Sequence, residues 1–497
     1  MRPNQLLRGA VRCLLAATTA LAAMSSHAAI AGLTGASAGS QRSFNLFAAD
    51  GYITAADGVQ IYMWGYGAAT TSGGTGLMQI SGPTLLVQQG ETVVINFTNQ
   101  LPTRTSILFP GQSGVAASGG SAGVLAQEVG PGESVQYSFT ASLPGTYLYQ
   151  SGTQPGLQTE MGMVGALIVY PTGTGVPAST AATKWAYNHA GTAYERESLL
   201  VTSDADSKIH AAVDDQVKLK KAAADACVTT GGCTFTADLA HRFPDYWFLN
   251  GRTSPDVFAK NAVGELPHQP YNALPRLHPG ERILLRMIGA GSDLHPMHHH
   301  GNNSWAIARD GRMLSSDPTT RGPNLAFSDY TIKVVPGQTY DAVWTWSGTG
   351  IGWDIFGATC DATKAVTADN CRFGKFSATG TQTALAACLN PALPYASCPD
   401  RYKSTQSVLT DLYKPMPVKL ASEFELAYGE FYSGSPYLGD FGIRPVGTGQ
   451  ANTTGGFFHM FHSHNEREVV NGGIYPGGMM TMLVVEPFGV SIDAGQP

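Results

Sequence analysis

Three times along this 497-residue chain, a Pro-Gly turn with a polar residue behind it opens a run of alternating apolar side chains. Pro131-Gly132-Glu133 precedes Val135, Tyr137 and Phe139. His278-Pro279-Gly280-Glu281 precedes Ile283, Leu285 and Met287. Val335-Pro336-Gly337-Gln338 precedes Tyr340 to Trp346. A period of two puts the apolar set on one face of a strand, and a tight turn ends each run after a few residues. Short strands punctuated this way belong to β-sandwiches. Val93, Ile95 and Phe97 alternate in the same manner behind Gln89-Gly90-Glu91, and Gly145–Tyr149 and Gly165–Val169 read as paired final strands. Composition agrees: 59 glycines and only 13% charged residues leave little material for long amphipathic helices. The expected fold is therefore all-β. One sandwich spans residues 43–172 and a second spans 244–497, closing on the strand Met479–Val485. Between them, 173–243 reads as a linker or insertion with one helix from Ala211 to Ala226. Residues 351–456, rich in Gly, Pro and Cys, read as a disulfide-stapled insertion in the second sandwich, placed to cover or build a site.

The first 28 residues read as a secretory signal. Arg2, Arg8 and Arg12 precede an apolar run from Cys13 to Met24, and Ser26-His27-Ala28 is a small-residue cleavage site. The run is too short to span a bilayer, and no later segment is long and apolar enough. A soluble protein exported to the periplasm or the medium is expected. Six of the seven cysteines follow the signal: Cys227, Cys233, Cys360, Cys371, Cys388 and Cys398. An even number in an exported chain implies disulfides. Neighbours in sequence suggest 227–233, 360–371 and 388–398, with other pairings open among the last four. The net charge of −6 argues against nucleic acid as a partner.

Seven of the 13 histidines fall in two windows. The first is His295-Pro296-Met297-His298-His299-His300-Gly301, the second His459-Met460-Phe461-His462-Ser463-His464. On a strand, His298 and His300 share a face, and so do His462 and His464. Two such pairs on adjacent strands bring four imidazoles within reach of one metal, and neutral imidazole suits copper, zinc, iron or nickel. His299 points away on this reading. His459 shares the face of Ser463 and has a supporting or structural role.

The motif His-Pro-x-His-x-His-Gly at 295–301 resembles a copper motif of the multicopper oxidase family. Phe461-His462-Ser463-His464, with Gly478-Met479-Met480 behind it, resembles that family's closing His-Cys-His and Gly-Met-Met. Gln79-Ile80-Ser81-Gly82-Pro83-Thr84, Gly145–Tyr149 and Glu160–Val169 resemble its first domain. The resemblance covers most of 50–172 and 245–350, plus 457–487. It implies two cupredoxin-like Greek-key sandwiches and copper as cofactor. His298 and His300 match ligands of the family's trinuclear cluster, His462 and His464 its type 3 copper pair, and His295 its type 1 copper histidine.

The chain departs from the family at four places. Ser106-Ile107-Leu108-Phe109-Pro110-Gly111 stands for the first domain's His-x-His-Gly, and Gln150-Ser151-Gly152 for its His-Ser-His. Ser463 stands for the type 1 cysteine. Glu468 stands for a histidine, and about six extra residues precede Gly478. A blue copper site needs a thiolate. The resemblance therefore implies one copper, or two, held by three or four histidines of the second domain, the candidates being His295, His298, His300, His462 and His464. Glu466 and Glu468 are candidates for proton transfer, weighed against an ordinary solvated loop. The expected function is a copper-dependent oxidoreductase with a reduced copper complement, acting on a small-molecule reductant. The alternatives are a copper-sequestering or copper-delivering protein, and a scaffold with structural metal. A homo-oligomer is compatible with all three.

Overall fold

The computed structural model describes residues 30–176, 184–278, 280–346, 423–437, 456–486 and 492. The expected signal and most of 351–456, with Cys360, Cys371, Cys388 and Cys398, lie outside the described residues.

Strands β1 (Gln41–Thr54), β2 (Gln60–Ala68), β3 (Leu85–Gln88), β4 (Thr92–Asn99), β5 (Ser134–Thr140), β6 (Gly145–Gln150) and β7 (Val164–Tyr170) form the first sandwich. One sheet runs β2-β1-β4-β5, and the other runs β6-β7-β3. The alternation read in sequence is real: β5 buries Val135, Tyr137 and Phe139 and leaves Ser134, Gln136 and Thr140 outside. Strands β6 and β7 pair antiparallel, Gly145 opposite Val169. Trp64, Tyr66, Phe97, Tyr137 and Tyr149 fill the core between the sheets. Each such side chain contributes roughly 2–3 kcal/mol by leaving water. A short helix, α1 (Pro155–Glu160), joins β6 to β7.

The second sandwich begins earlier than expected. Strand β8 (Arg196–Ala205), inside the segment read as linker, pairs parallel to β11 (Arg282–Gly289) and antiparallel to β9 (Tyr246–Leu249). Its run Leu199-Leu200-Val201 is buried on both faces, so no alternation marked it. The helix in this segment is α2 (Ser207–Ala222), four residues earlier than read, because Asp206 caps its first turn by accepting from the Lys208 amide. Its apolar face, Ile209, Val213 and Val217, joins the core of the first sandwich rather than the second. The Cys227–Cys233 disulfide forms beside it.

The remaining strands are β10 (Arg276–Leu277), β12 (His295–His299), β13 (Ser304–Arg309), β14 (Thr331–Val334), β15 (Thr339–Thr345), β16 (Gly434–Tyr437), β17 (Gly456–Ser463) and β18 (Met480–Val485). One sheet runs β9-β8-β11-β15-β13 and the facing sheet β10-β18-β17-β12-β14, with β16 on the first half of β17. Trp344, Trp346, Met297, Phe457 and Phe461 fill the space between them. Strand β16 falls inside the expected insertion, so part of that segment is sheet. A shared layer joins the sandwiches: Leu148, Val164, Ala166 and Ile168 of the first pack with Leu199, Val201, Ile288 and Ala290 of the second. Among the described residues, no helix is long and apolar enough to cross a membrane.

Candidate metal centre

Strands β12 and β17 pair antiparallel, with Met297 opposite Ser463, His298 opposite His462 and His299 opposite Phe461. The pleat sends Met297, His299, Phe461 and Ser463 into the core, where all four are buried. His298, His300, His462 and His464 gather on the outer face. Ring centroids lie 4.9 Å apart for His298 and His464, 5.0 Å for His298 and His300, and 5.4 Å for both His298–His462 and His300–His462. One ring nitrogen from each of His298, His300 and His462 lies within 4.8 Å of the other two. His464 stands at the exposed rim beside this trio.

The Nδ1 atoms of the trio are already engaged. His298 Nδ1 meets the Thr331 hydroxyl at 3.0 Å, His300 Nδ1 the Ser433 carbonyl at 3.4 Å and His462 Nδ1 the Ser463 carbonyl at 2.8 Å. A carbonyl only accepts, so His300 and His462 carry their proton on Nδ1 and present a lone pair on Nε2. Those two Nε2 atoms face each other at 3.4 Å. With no proton between them, this is not a hydrogen bond. Two imidazoles bound at about 2.0–2.1 Å to one tetrahedral ion would stand about 3.3–3.4 Å apart. The residues therefore fit a metal ion, and the spacing is what one would impose. Burial, with the neighbouring histidines, pushes His298 down to about 4, and burial also lowers His300 and His462. All three are neutral and ready to ligate at neutral pH. Tyr330 stands edge-on to His298 and Tyr432 lies against His300.

The structure separates His295 from this group. It is fully buried on the other face of the sheet, with Nδ1 2.9 Å from Glu468 and Nε2 3.3 Å from Asp204. Burial alone would lower its pKa, but these two carboxylates hold it up to about 9. The structure thus sets His295 apart from the trio, with a carboxylate rather than another imidazole beside each ring nitrogen. Odd and even positions on a strand face opposite ways, and His295 is odd. Glu468 is also not on a solvated loop: it is buried and accepts from Ser463 Oγ at 2.6 Å, behind the imidazoles rather than beside them. Glu466 is exposed.

His299 gives Nε2 to Ser304 at 2.9 Å, and burial pushes it down to about 3. His459 is buried among Trp344, Trp346 and Phe457, and is likewise pushed down to about 3 by burial. A Cβ at position 434 would lie 2.3 Å from its ring, which is why glycine opens β16 there. Sequence reading missed Asp204, Thr331, Ser433, Tyr330 and Tyr432. Only their places in the fold bring them here, and no spacing announces them.

The first sandwich presents a different chemistry at the corresponding places. Ser106 Oγ meets Thr153 Oγ1 at 2.9 Å and accepts from the Gly152 amide at 3.1 Å. Ser151 Oγ and Thr105 Oγ1 donate to Gln158 Oε1 at 2.6 and 2.8 Å, and Gln158 Nε2 donates to the Arg104 carbonyl. Every group there is neutral and paired.

Residues 71–174 match the multicopper oxidase family model. Over that span the chain is similar to the multicopper oxidase family. An L-ascorbate oxidase of Brassica rapa subsp. pekinensis is 36% identical over 94 residues, 18% of this chain and 16% of that protein. The multicopper oxidase MCE of Talaromyces pinophilus is 37% identical over 95 residues, 19% of this chain and 15% of that protein. The chain thus spans about one sixth of the length of these curated relatives. Among solved structures, the blue copper oxidase of Nitrosomonas europaea aligns over 89% of this chain and 85% of its own, at 17% identity and a TM-score of 0.47. The family match falls on the sandwich that lacks the histidines.

Proposed function

We propose that this protein is an exported, copper-binding oxidoreductase of the multicopper oxidase type with a reduced copper complement. Its metal is held by His298, His300 and His462, with His464 as a fourth donor at the rim. The observation that carries this reading is the pair of Nε2 lone pairs facing each other at 3.4 Å, each fixed by a carbonyl on the opposite nitrogen. Imidazole donors suit copper, and the family likeness favours it over zinc. Bound copper would supply one-electron redox chemistry and a Lewis-acidic position for a small-molecule reductant or oxygen. The chain's own part is to hold three neutral imidazoles on the outer face of the sheet. Thr331, Ser433 and the Ser463 carbonyl orient their rings, and Tyr330 and Tyr432 wall the approach.

Ser463 cannot provide a thiolate, and its hydroxyl is committed to Glu468. That observation supports the second reading, copper sequestration or delivery without turnover. Metal analysis of the protein as isolated, with its electron paramagnetic resonance spectrum, tests the first claim. One pale copper with nitrogen couplings is expected, and an intense blue band would remove the reading. Oxygen uptake with a small reductant then separates the oxidase from the carrier. For export, the N-terminus of the protein recovered outside the cytoplasm should be Ala29.

A further inference from the structure

Behind the imidazoles, on the buried face of the same two strands, lies a chain of charges that none of the chemistry above uses. Glu468 receives His295 Nδ1 and Ser463 Oγ on one carboxylate oxygen, and Asn465 Nδ2 on the other at 2.8 Å. His295 lies on β12, three residues before His298. Ser463 sits between His462 and His464. Asp204, on the far side of His295, accepts from the amides of Ser292 and Asp293 at 3.1 and 3.0 Å, fixing the loop that enters β12. Arg242 bridges Asp204 to Glu160 at the end of α1, so the series reaches the first sandwich. One carboxylate thus ties the strand bearing His462 and His464 to the strand bearing His298 and His300.

We propose that Glu468 is a positioning residue for the metal centre, setting the spacing of the two histidine pairs from the opposite face of the sheet through His295 and Ser463. This rests on the reading that copper occupies the outer face. His295, with a carboxylate beside each ring nitrogen, is the cation of the device. The β12–β17 backbone pairing by itself tolerates small shear and twist. A carboxylate with two donors on one oxygen and a third on the other tolerates much less, because each contact fixes a different direction. Ligand nitrogens 3.4 Å apart are sensitive to displacements of a few tenths of an ångström.

Copper titration and electron paramagnetic resonance of the full chain test the proposal in Glu468→Gln, with Ser463→Ala as the milder variant should Gln impair folding. Copper affinity should fall roughly 10-fold, as when a partner of a ligand is lost. The copper hyperfine coupling should shift while one copper per chain is retained. Ser106→Ala, which weakens the distant hydroxyl network, should leave the coupling unchanged. His295→Gln combined with Glu468→Gln should cost less affinity than the two single changes summed. Unchanged affinity and coupling in both single variants, with a normal wild-type spectrum, would overturn the clamp and leave the copper reading intact. Loss of a whole copper equivalent in His295→Gln would overturn it by making His295 a ligand. A wild-type protein with no imidazole-bound copper would remove both.

Discussion

In the first sandwich, Ser106, Ser151, Thr153 and Gln158 close on one another, and every donor has found an acceptor. In the second, His298, His300 and His462 spend one nitrogen each on the protein and leave the other facing its neighbours. Both groups sit where the family resemblance expects metal ligands. The difference shows how a polar position in a sandwich is released from a metal. Short side chains that donate and accept can satisfy each other, so nothing else is needed. Imidazoles fixed in one tautomer cannot, and they remain a demand for a cation. The third such place, around His295, Ser463 and Glu468, takes a middle course. There the positive charge is supplied by the protein itself.

The comparison breaks first at His298. Replacing it with Ala should cost more copper affinity than the roughly 10–100-fold typical of losing a partner of a ligand. Copper per chain, with thermal unfolding alongside, measures this. His299→Ala should leave copper nearly untouched, since its ring lies in the core. Equal copper loss in the two would show that the outer and inner faces are not distinct.

A second test uses pH on the copper-free protein. His298, His299 and His459 are held neutral when folded, at about 4, 3 and 3, while the unfolded chain titrates near 6.5. The unfolded state binds more protons as pH drops below about 6.5, so stability should fall steeply on the acid side. His295 has the opposite sign. Its raised value of about 9 gives a contribution that is complete below about 6.5 and lost as pH rises through about 9. That contribution is about 3 kcal/mol, from about 1.4 kcal/mol per unit. Chemical denaturation across pH should show a dome, and His295→Gln should flatten only its alkaline flank. A flank unchanged in that variant would mean that His295 is neutral in the fold.

Smaller effects sharpen the contrast. Ser151→Ala should cost about 1–3 kcal/mol, because Gln158 loses a buried donor, and should leave copper content unchanged. Glu466→Gln, at an exposed position, should stay within about 0.5 kcal/mol and leave copper unchanged. A large loss of copper in Glu466→Gln would return that residue to the site.

The strands around 92–99, 134–140 and 282–289 were legible because one face of each is apolar and the turns before them are built of Gly and Pro. Strand 196–205 was not, since its apolar residues Leu199, Leu200 and Val201 are consecutive and no Pro-Gly turn precedes it. The pairing of His298 with His300, and of His462 with His464, followed from the pleat alone. His295 was assigned by motif rather than by parity, and parity puts it on the other face. What Glu468 does was invisible, because its meaning depends on Asp204, a residue 264 positions earlier in the chain.

The layer shared by the two sandwiches also limits how the molecule can be taken apart. Leu148 and Ile168 are covered by Leu199 and Ile288, and α2 lends its apolar side to the first half while following a strand of the second. Neither half is a cassette. A fragment cut to carry only the histidine strands would expose a greasy wall and lose its neighbour's brace. Anyone seeking a minimal copper-binding piece would have to redesign that wall first. The ligand-poor sandwich thus persists as a foundation, kept for the surface it covers.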